Sequence, residues 1–212
     1  MAAVIESLAM LWPALVLAVT AHEAAHALVA TLFGDHLARD TGRLSINPLR
    51  HCSWLGTALV PCAAFTLSTL AHLPGALVGW GRAVPFGSPL ASSRLGLLCT
   101  ALAGPLANLL LASACLALRP LAGPGAWLAF LDTSASLNVL LVVVNLLPVR
   151  PLDGATCIQA LCAQRWRLRH ESLQPYLQVL VAGLLFTGLL GQYLLWAART
   201  LLSLLPGNIL HG

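Results

Sequence analysis

From Leu95 to Leu118 the chain carries no charged side chain, and runs of this kind set what the rest of it can fold into. A helix needs about 20 apolar residues, rising about 1.5 Å each, to cross the roughly 30 Å of hydrocarbon in a bilayer. Three further runs meet that length. Ser7–Phe33 is apolar apart from Thr20, His22, Glu23, His26 and Thr31; Trp127–Leu147 carries only Asp132, near its start. Tyr176–Ala198 is uncharged, and its helix is expected to run on to about residue 203. Only 8% of the residues are charged, against about 25% in a soluble globular domain. Most of the surface therefore faces something other than water. The expected fold is an all-α polytopic membrane protein with four to six transmembrane helices. No internal repeat or long linker divides the chain, so residues 1–212 read as one domain. No Lys or Arg precedes Arg39; the first apolar run lacks the basic region of a cleavable signal peptide and is expected to stay.

A fifth run, Leu55–Trp80, is interrupted by Pro61 and by Pro74-Gly75. The arginines bear on whether it crosses. Arg39, Arg43 and Arg50 lie before it, Arg82 and Arg94 after it, Arg119 in the next connection, and Arg150, Arg165, Arg167 and Arg169 in the one after that. A single crossing would divide these evenly enough to give no bias. A hairpin or re-entrant segment puts all but Arg119 on one side, which the positive-inside rule makes the cytoplasm. Residues 55–80 are therefore expected to enter and return, leaving the N-terminus outside and the first and fourth long segments parallel.

The first long segment contains His22-Glu23-Ala24-Ala25-His26. On a helix, positions i and i+4 share a face, so the two imidazoles can hold one zinc ion. Glu23 is offset by one step, which suits a general base acting on water rather than a ligand. With seven His in the chain, composition alone predicts about 0.003 matches to this pattern, so coincidence is a poor explanation. Ionisable residues deep in an apolar helix are costly and mark function.

Two histidines leave a catalytic zinc one protein ligand short. The available acids are Glu6, Asp35, Asp40, Asp132, Asp153 and Glu171. Asp153 stands out, because Pro148 and Pro151 stop the preceding helix and Gly154 permits a close approach. An alternative use for Asp153 is as the N-cap of the helix that follows. With 55–80 returning, Asp153 comes back to the end of the bundle that carries His22 and His26.

These residues resemble the site-2 protease family of intramembrane zinc metalloproteases. The stretch 22–35 is similar to its active-site helix, 42–51 to the segment that follows in small bacterial members, and 79–86 to their Gly-Trp-Ala-Lys-Pro-Val-Pro segment. The Gly-Pro of 103–112 resembles the central helix, and 138–154 the second signature, which ends in a ligand Asp. The resemblance implies His22, His26 and Asp153 as zinc ligands, Glu23 as catalytic base, and a membrane-spanning helix as substrate. Two elements depart from the pattern. His51-Cys52-Ser53-Trp54 stands where relatives have His-Ile-Asp-Pro, and Gly87-Ser88-Pro89-Leu90 replaces an Asn-Pro-x-Asn element. Both lie on the expected substrate side, so specificity does not carry over from relatives.

Asn138 and Asn145 share a helix face, and Asn108 follows Pro105 by about one turn. They serve either as helix–helix hydrogen bonds or as groups that position the substrate carbonyl or its oxyanion. The extended stretch Arg82-Ala-Val84-Pro85 could add a substrate strand. His51 and His72 read as structural, and the six cysteines, without a CxxC pair, as reduced apolar side chains. The scattered arginines exclude a nucleic-acid partner. The expectation is a multi-pass cell-membrane metalloendopeptidase using one Zn²⁺, its site toward the cytoplasm. A non-proteolytic metal-binding scaffold is the alternative, disfavoured by the retained Glu23. A metal transporter would need ligands spread along a pore.

Overall fold

The computed structural model describes residues 2–51, 53–59 and 92–206, with Cys62, Ala63, Thr66, Pro85, Gly87 and Leu90 between them. Among these the protein is helical, with no strand. The elements are α1 (Ala2–Leu32), α2 (Leu37–Asp40), α3 (Pro48–His51), a π-helical turn (Trp54–Leu59), α4 (Arg94–Leu118), α5 (Ala126–Asn145), α6 (Asp153–Leu161), α7 (Gln164–Phe186) and α8 (Leu189–Leu204). Leu8–Leu32 of α1, Arg94–Leu121 and all of α5 are long and apolar enough to cross a membrane. The pair α7–α8 supplies a fourth crossing if the two count as one broken span. The protein is a polytopic all-α membrane protein, as its apolar runs predict.

Inside those runs three hydroxyls turn back on their own helices. Thr20 donates to Val16 O at 2.6 Å, Thr31 to Ala27 O at 2.7 Å and Ser113 to Leu109 O at 2.9 Å. Each polar side chain is thus satisfied without water, as hydrocarbon requires. Leu17, Leu28, Leu106 and Leu110 face outward, where lipid rather than water is their natural contact.

Helix ends follow local chemistry. The Ser93 side chain caps α4 by accepting from Gly96 N–H at 3.0 Å. Pro120 tightens the end of α4 into a short 3₁₀ turn, and Arg119 pairs with Asp132 of α5 at 2.8 Å across the connection. Helices α4 and α5 form an antiparallel hairpin whose core joins Ala112, Cys115 and Leu116 to Leu131, Ala135 and Val139, with Ala198 and Leu202 of α8. Contacts from α1 to α4 run in opposite order along the two helices, His22 to Asn108 and His26 to Thr100. Helix α1 is therefore antiparallel to α4 and parallel to α5, against which Ala14 and Leu15 pack at Leu137. The end of α1, the start of α4 and the end of α5 share one end of the bundle. This is the arrangement expected of a returning 55–80, although most of that segment, and so the hairpin itself, lies outside the described residues.

The expectation of one continuous helix to about residue 203 is corrected. Helix α7 begins at Gln164 and meets α8 at an angle of 85°. The break is at Gly188, with φ at +76°, a left-handed conformation that glycine adopts without strain and that ends α-helices. Thr187 N–H donates to Gly183 O and Gly188 N–H to Leu185 O, both at 3.0 Å, closing the terminus of α7. A lone glycine in an apolar run looks no different from packing glycine in the sequence.

In a background without native cysteines, Asp40→Cys, Arg94→Cys and Arg169→Cys are expected to react with a membrane-impermeant maleimide from one side only. Gly123→Cys should react only from the other. Labelling of Arg94→Cys from the Gly123 side would contradict the antiparallel pairing of α1 and α4.

Candidate metal centre

His22 and His26 sit one turn apart on the buried face of α1, their Nε2 atoms 3.1 Å from each other. Asp153, at the start of α6, brings Oδ2 to 3.2 Å from His22 Nε2 and Oδ1 to 3.3 Å from His26 Nε2. One ligand atom from each of the three lies within 4.8 Å of the others. Their partners decide what these atoms offer. His22 Nδ1 is 3.2 Å from Asn108 Oδ1, and His26 Nδ1 is 2.6 Å from Thr100 O. Both partners are acceptors, so the ring proton sits on Nδ1 and each Nε2 presents a lone pair. The carboxylate offers only lone pairs as well. Asp153 Oδ2 is buried and receives no hydrogen bond.

Three acceptors that face one point with no proton between them repel one another unless a cation lies there. Two imidazoles and one carboxylate fit the protein donor set of a catalytic zinc site, whose fourth position water or substrate takes.

Glycines make the approach feasible. A Cβ on Gly104 of α4 would stand 2.5 Å from both His22 Cε1 and His26 Nε2, so any larger residue would fill the space at the imidazoles. A Cβ on Gly154 would collide with the carbonyls of Leu146 and Leu147, which shows how tightly α6 folds back on the end of α5. Asp153 is not the N-cap of α6: Leu152 holds that position and Asp153 begins the first turn.

Glu23 is half-buried beside the ligand pair, and its carboxylate acts electrostatically on His26. It is outside the three-ligand group. The asparagines separate into different uses. Asn108 is fully buried and spends its carbonyl oxygen on His22. Asn138 donates to Ser134 O at 2.8 Å and Asn145 to Leu141 O at 3.0 Å, each on its own helix. Arg82 and Val84 lie outside the described residues; Pro85 is half-buried. Three of the other acids are occupied elsewhere. Asp132 pairs with Arg119 and Glu171 with Arg150. Asp35 is buried, accepting from Leu37 N–H at 3.1 Å and from Gly87 N–H. His51 is fully buried with Nε2 on Ser45 O at 2.6 Å, a structural role.

Two contributors escape sequence reasoning. Gly104 reads only as half of a Gly-Pro pair, and a main-chain acceptor such as Thr100 O has no sequence signature at all.

Across 193 residues the chain is 35% identical to the Bacillus subtilis protein named "Putative zinc metalloprotease YwhC", covering 86% of this chain and 82% of that protein. The chain belongs to this site-2 protease-like family of zinc metalloproteases. A second relative in the family, "Putative zinc metalloprotease Rip2" of Mycolicibacterium smegmatis, is 35% identical over 136 residues, 63% of this chain and 49% of its own. No family model matches the chain, and no solved structure matches it.

Replacing Asn108 by Ala frees the His22 ring and is expected to weaken zinc binding about 10- to 100-fold, the usual cost of losing a group that orients a ligand. Gly104→Ala should abolish binding by pushing both imidazoles apart. Chelator competition on purified protein of unchanged helical content checks both; wild-type affinity in Gly104→Ala would show that the rings do not approach α4 as described.

Proposed function

We propose that the protein is an intramembrane zinc endopeptidase that cleaves membrane-spanning proteins within or near their helices. One observation carries the reading: the acceptor triad lies well inside the bundle. Counting from Leu32 back to His22 along α1, or from Arg94 on to Gly104 along α4, each at about 1.5 Å per residue, puts it about 15 Å from the helix ends. That is about half of a roughly 30 Å hydrocarbon layer. A peptide bond presented at this depth belongs most naturally to a segment that is itself in the membrane.

In this reading His22, His26 and Asp153 hold the zinc, which supplies Lewis acidity toward water and toward a peptide carbonyl. Glu23 removes a proton from the attacking water and returns it to the departing amine nitrogen as the C–N bond breaks, so no net proton is gained or lost. Asn108 and Thr100 keep the two imidazoles in register throughout. The substrate must present an unwound stretch, because carbonyls within an intact helix are already hydrogen-bonded. Arg82, Val84 and Pro85 are proposed as the edge on which that stretch is held. Asn138 and Asn145 can assist an oxyanion only after leaving their own helix carbonyls.

The arginines support a cytoplasmic opening. Arg39, Arg43, Arg50, Arg94 and Arg150 belong to connections at the end of the bundle toward which the site lies, and Arg119 to the opposite end.

Glu23→Gln is expected to keep zinc and lose cleavage of a co-expressed single-span substrate by about 10²- to 10⁴-fold. Asp153→Ala should lose cleavage and bind zinc far more weakly, through the two histidines alone. Undiminished cleavage by Glu23→Gln would remove Glu23 as base. A cut mapped by mass spectrometry to a site remote from the apolar segment would overturn the intramembrane reading.

A further inference from the structure

The loop between α5 and α6 decides where Asp153 stands, yet it has little structure of its own. Pro148 and Pro151 contribute no N–H. Within the loop Val149 N–H donates to Leu147 O and Leu152 N–H to Val149 O, both at 2.9 Å. The remaining groups between the prolines are met by side chains of α7. Arg150 N–H donates to Gln174 Oε1 at 2.8 Å, and Gln174 Nε2 donates to Pro148 O at 3.4 Å. His170 Nε2 lies 2.9 Å from the same carbonyl, and Gln178 Nε2 donates to Arg150 O at 3.1 Å. Residues 170, 174 and 178 follow a four-residue spacing and so share one face of α7. Glu171 adds an ion pair with the Arg150 guanidinium at 2.7 Å and accepts from Gln159, on the same helix as Asp153. Gln174 is the member of this set that is buried.

We infer that Gln174 is a positioning residue for the metal centre: α7 holds no ligand, but through Gln174 it fixes the loop and hence the carboxylate of Asp153. The inference rests on reading Asp153 as a metal ligand. One carboxamide grips a backbone donor and a backbone acceptor two residues apart, as a neighbouring strand would. Its loss leaves Arg150 N–H without its partner and Pro148 O with His170 alone, at a part-buried place beside Gln174, so the loop must relax to find others. Gly154, pressed against the Leu146 and Leu147 carbonyls, transmits any such shift to Asp153. The helix face of His170, Gln174 and Gln178 thereby couples α7 to a site to which it contributes none of the three candidate ligands.

The test measures zinc affinity of the full-length protein by chelator competition, for wild type, Gln174→Ala, Asp153→Ala and the double variant. Gln174→Ala is expected to bind zinc about 10- to 100-fold more weakly. The further loss it causes in the Asp153→Ala background should be near zero, because a residue acting through Asp153 has nothing left to position. The Co²⁺ spectrum of Gln174→Ala should shift toward that of Asp153→Ala. Gln178→Ala removes one exposed hydrogen bond to Arg150 O, so it keeps the idea testable should Gln174→Ala not fold; a loss of a few-fold, again absent without Asp153, is expected. Zinc binding that needs His22 and Asp153 but is unchanged by Gln174→Ala and Gln178→Ala overturns the brace alone. An equal loss in the presence and absence of Asp153 also overturns it. Zinc binding indifferent to His22→Ala overturns the metal centre, and this inference with it.

Discussion

Two imidazole nitrogens and a carboxylate offer lone pairs to the same buried point, and the rest of the structure is arranged around that constraint. Unpaired acceptors in a low-dielectric interior are costly, and the cost grows when one of them is a full negative charge. The protein does not relieve it with donors. Asn108 Oδ1 and Thr100 O take the Nδ1 protons of His22 and His26, which commits the opposite nitrogens to lone pairs. The antiparallel crossing of α1 and α4 is what brings both partners into reach at once. A parallel crossing would serve one ring and leave the other unoriented.

The same crossing has to be close, and small residues make it so. Between helices in lipid there is little hydrophobic driving force, so association depends on close backbone approach. Ala18 and Ala30 of α1, spaced by four from His22 and His26, are fully buried, and Ala101, Ala103 and Gly104 of α4 are buried as well. Gly104 is where packing and chemistry coincide: the approach that tightens the bundle also leaves the space that the two imidazoles occupy. Large side chains are spent on the outside, and small ones on the seam. Stability in the bundle and geometry at the site are consequently one design problem, which a single methyl at residue 104 would upset.

The three residues that the fold brings together as a possible ligand group were legible in the sequence because their signals are local: one helical turn separates His22 from His26, and a proline-broken segment marks Asp153. The parallel course of α1 and α5 was legible from the arginines, since charge is expelled from hydrocarbon whatever the packing. Groups that act across the fold were not. Thr100 contributes a main-chain oxygen, Gly104 an absence of atoms, and Gln174 a carboxamide that sequence reads as an ordinary polar residue at the edge of an apolar run. Asn108 was singled out, but for a substrate, because no local rule indicates that its partner would be His22. The bend at Gly188 was missed for a related reason: the residue is defined by a positive φ, and hydropathy does not register backbone conformation.

Buried polar side chains at the ends of helices perform the same task on either side of the centre. Asp35, just past α1, is buried and accepts from the backbone of Leu37 and of Gly87, tying the chain that precedes α4 to the end of the helix bearing the histidines. Gln174, in the polar half of α7, meets the backbone of Pro148 and Arg150, tying the loop before Asp153. Gly87 and residues 148–151 lie outside regular secondary structure, so their main-chain groups lack the partners it would supply. In a soluble protein water could take them. Near the headgroups of a bilayer, fixed side-chain partners keep the loops ordered without opening the interior to solvent. A charged residue suits Asp35, which faces two donors, and a neutral carboxamide suits Gln174, which faces one donor and one acceptor. The choice of residue at each place follows from the backbone groups it must satisfy.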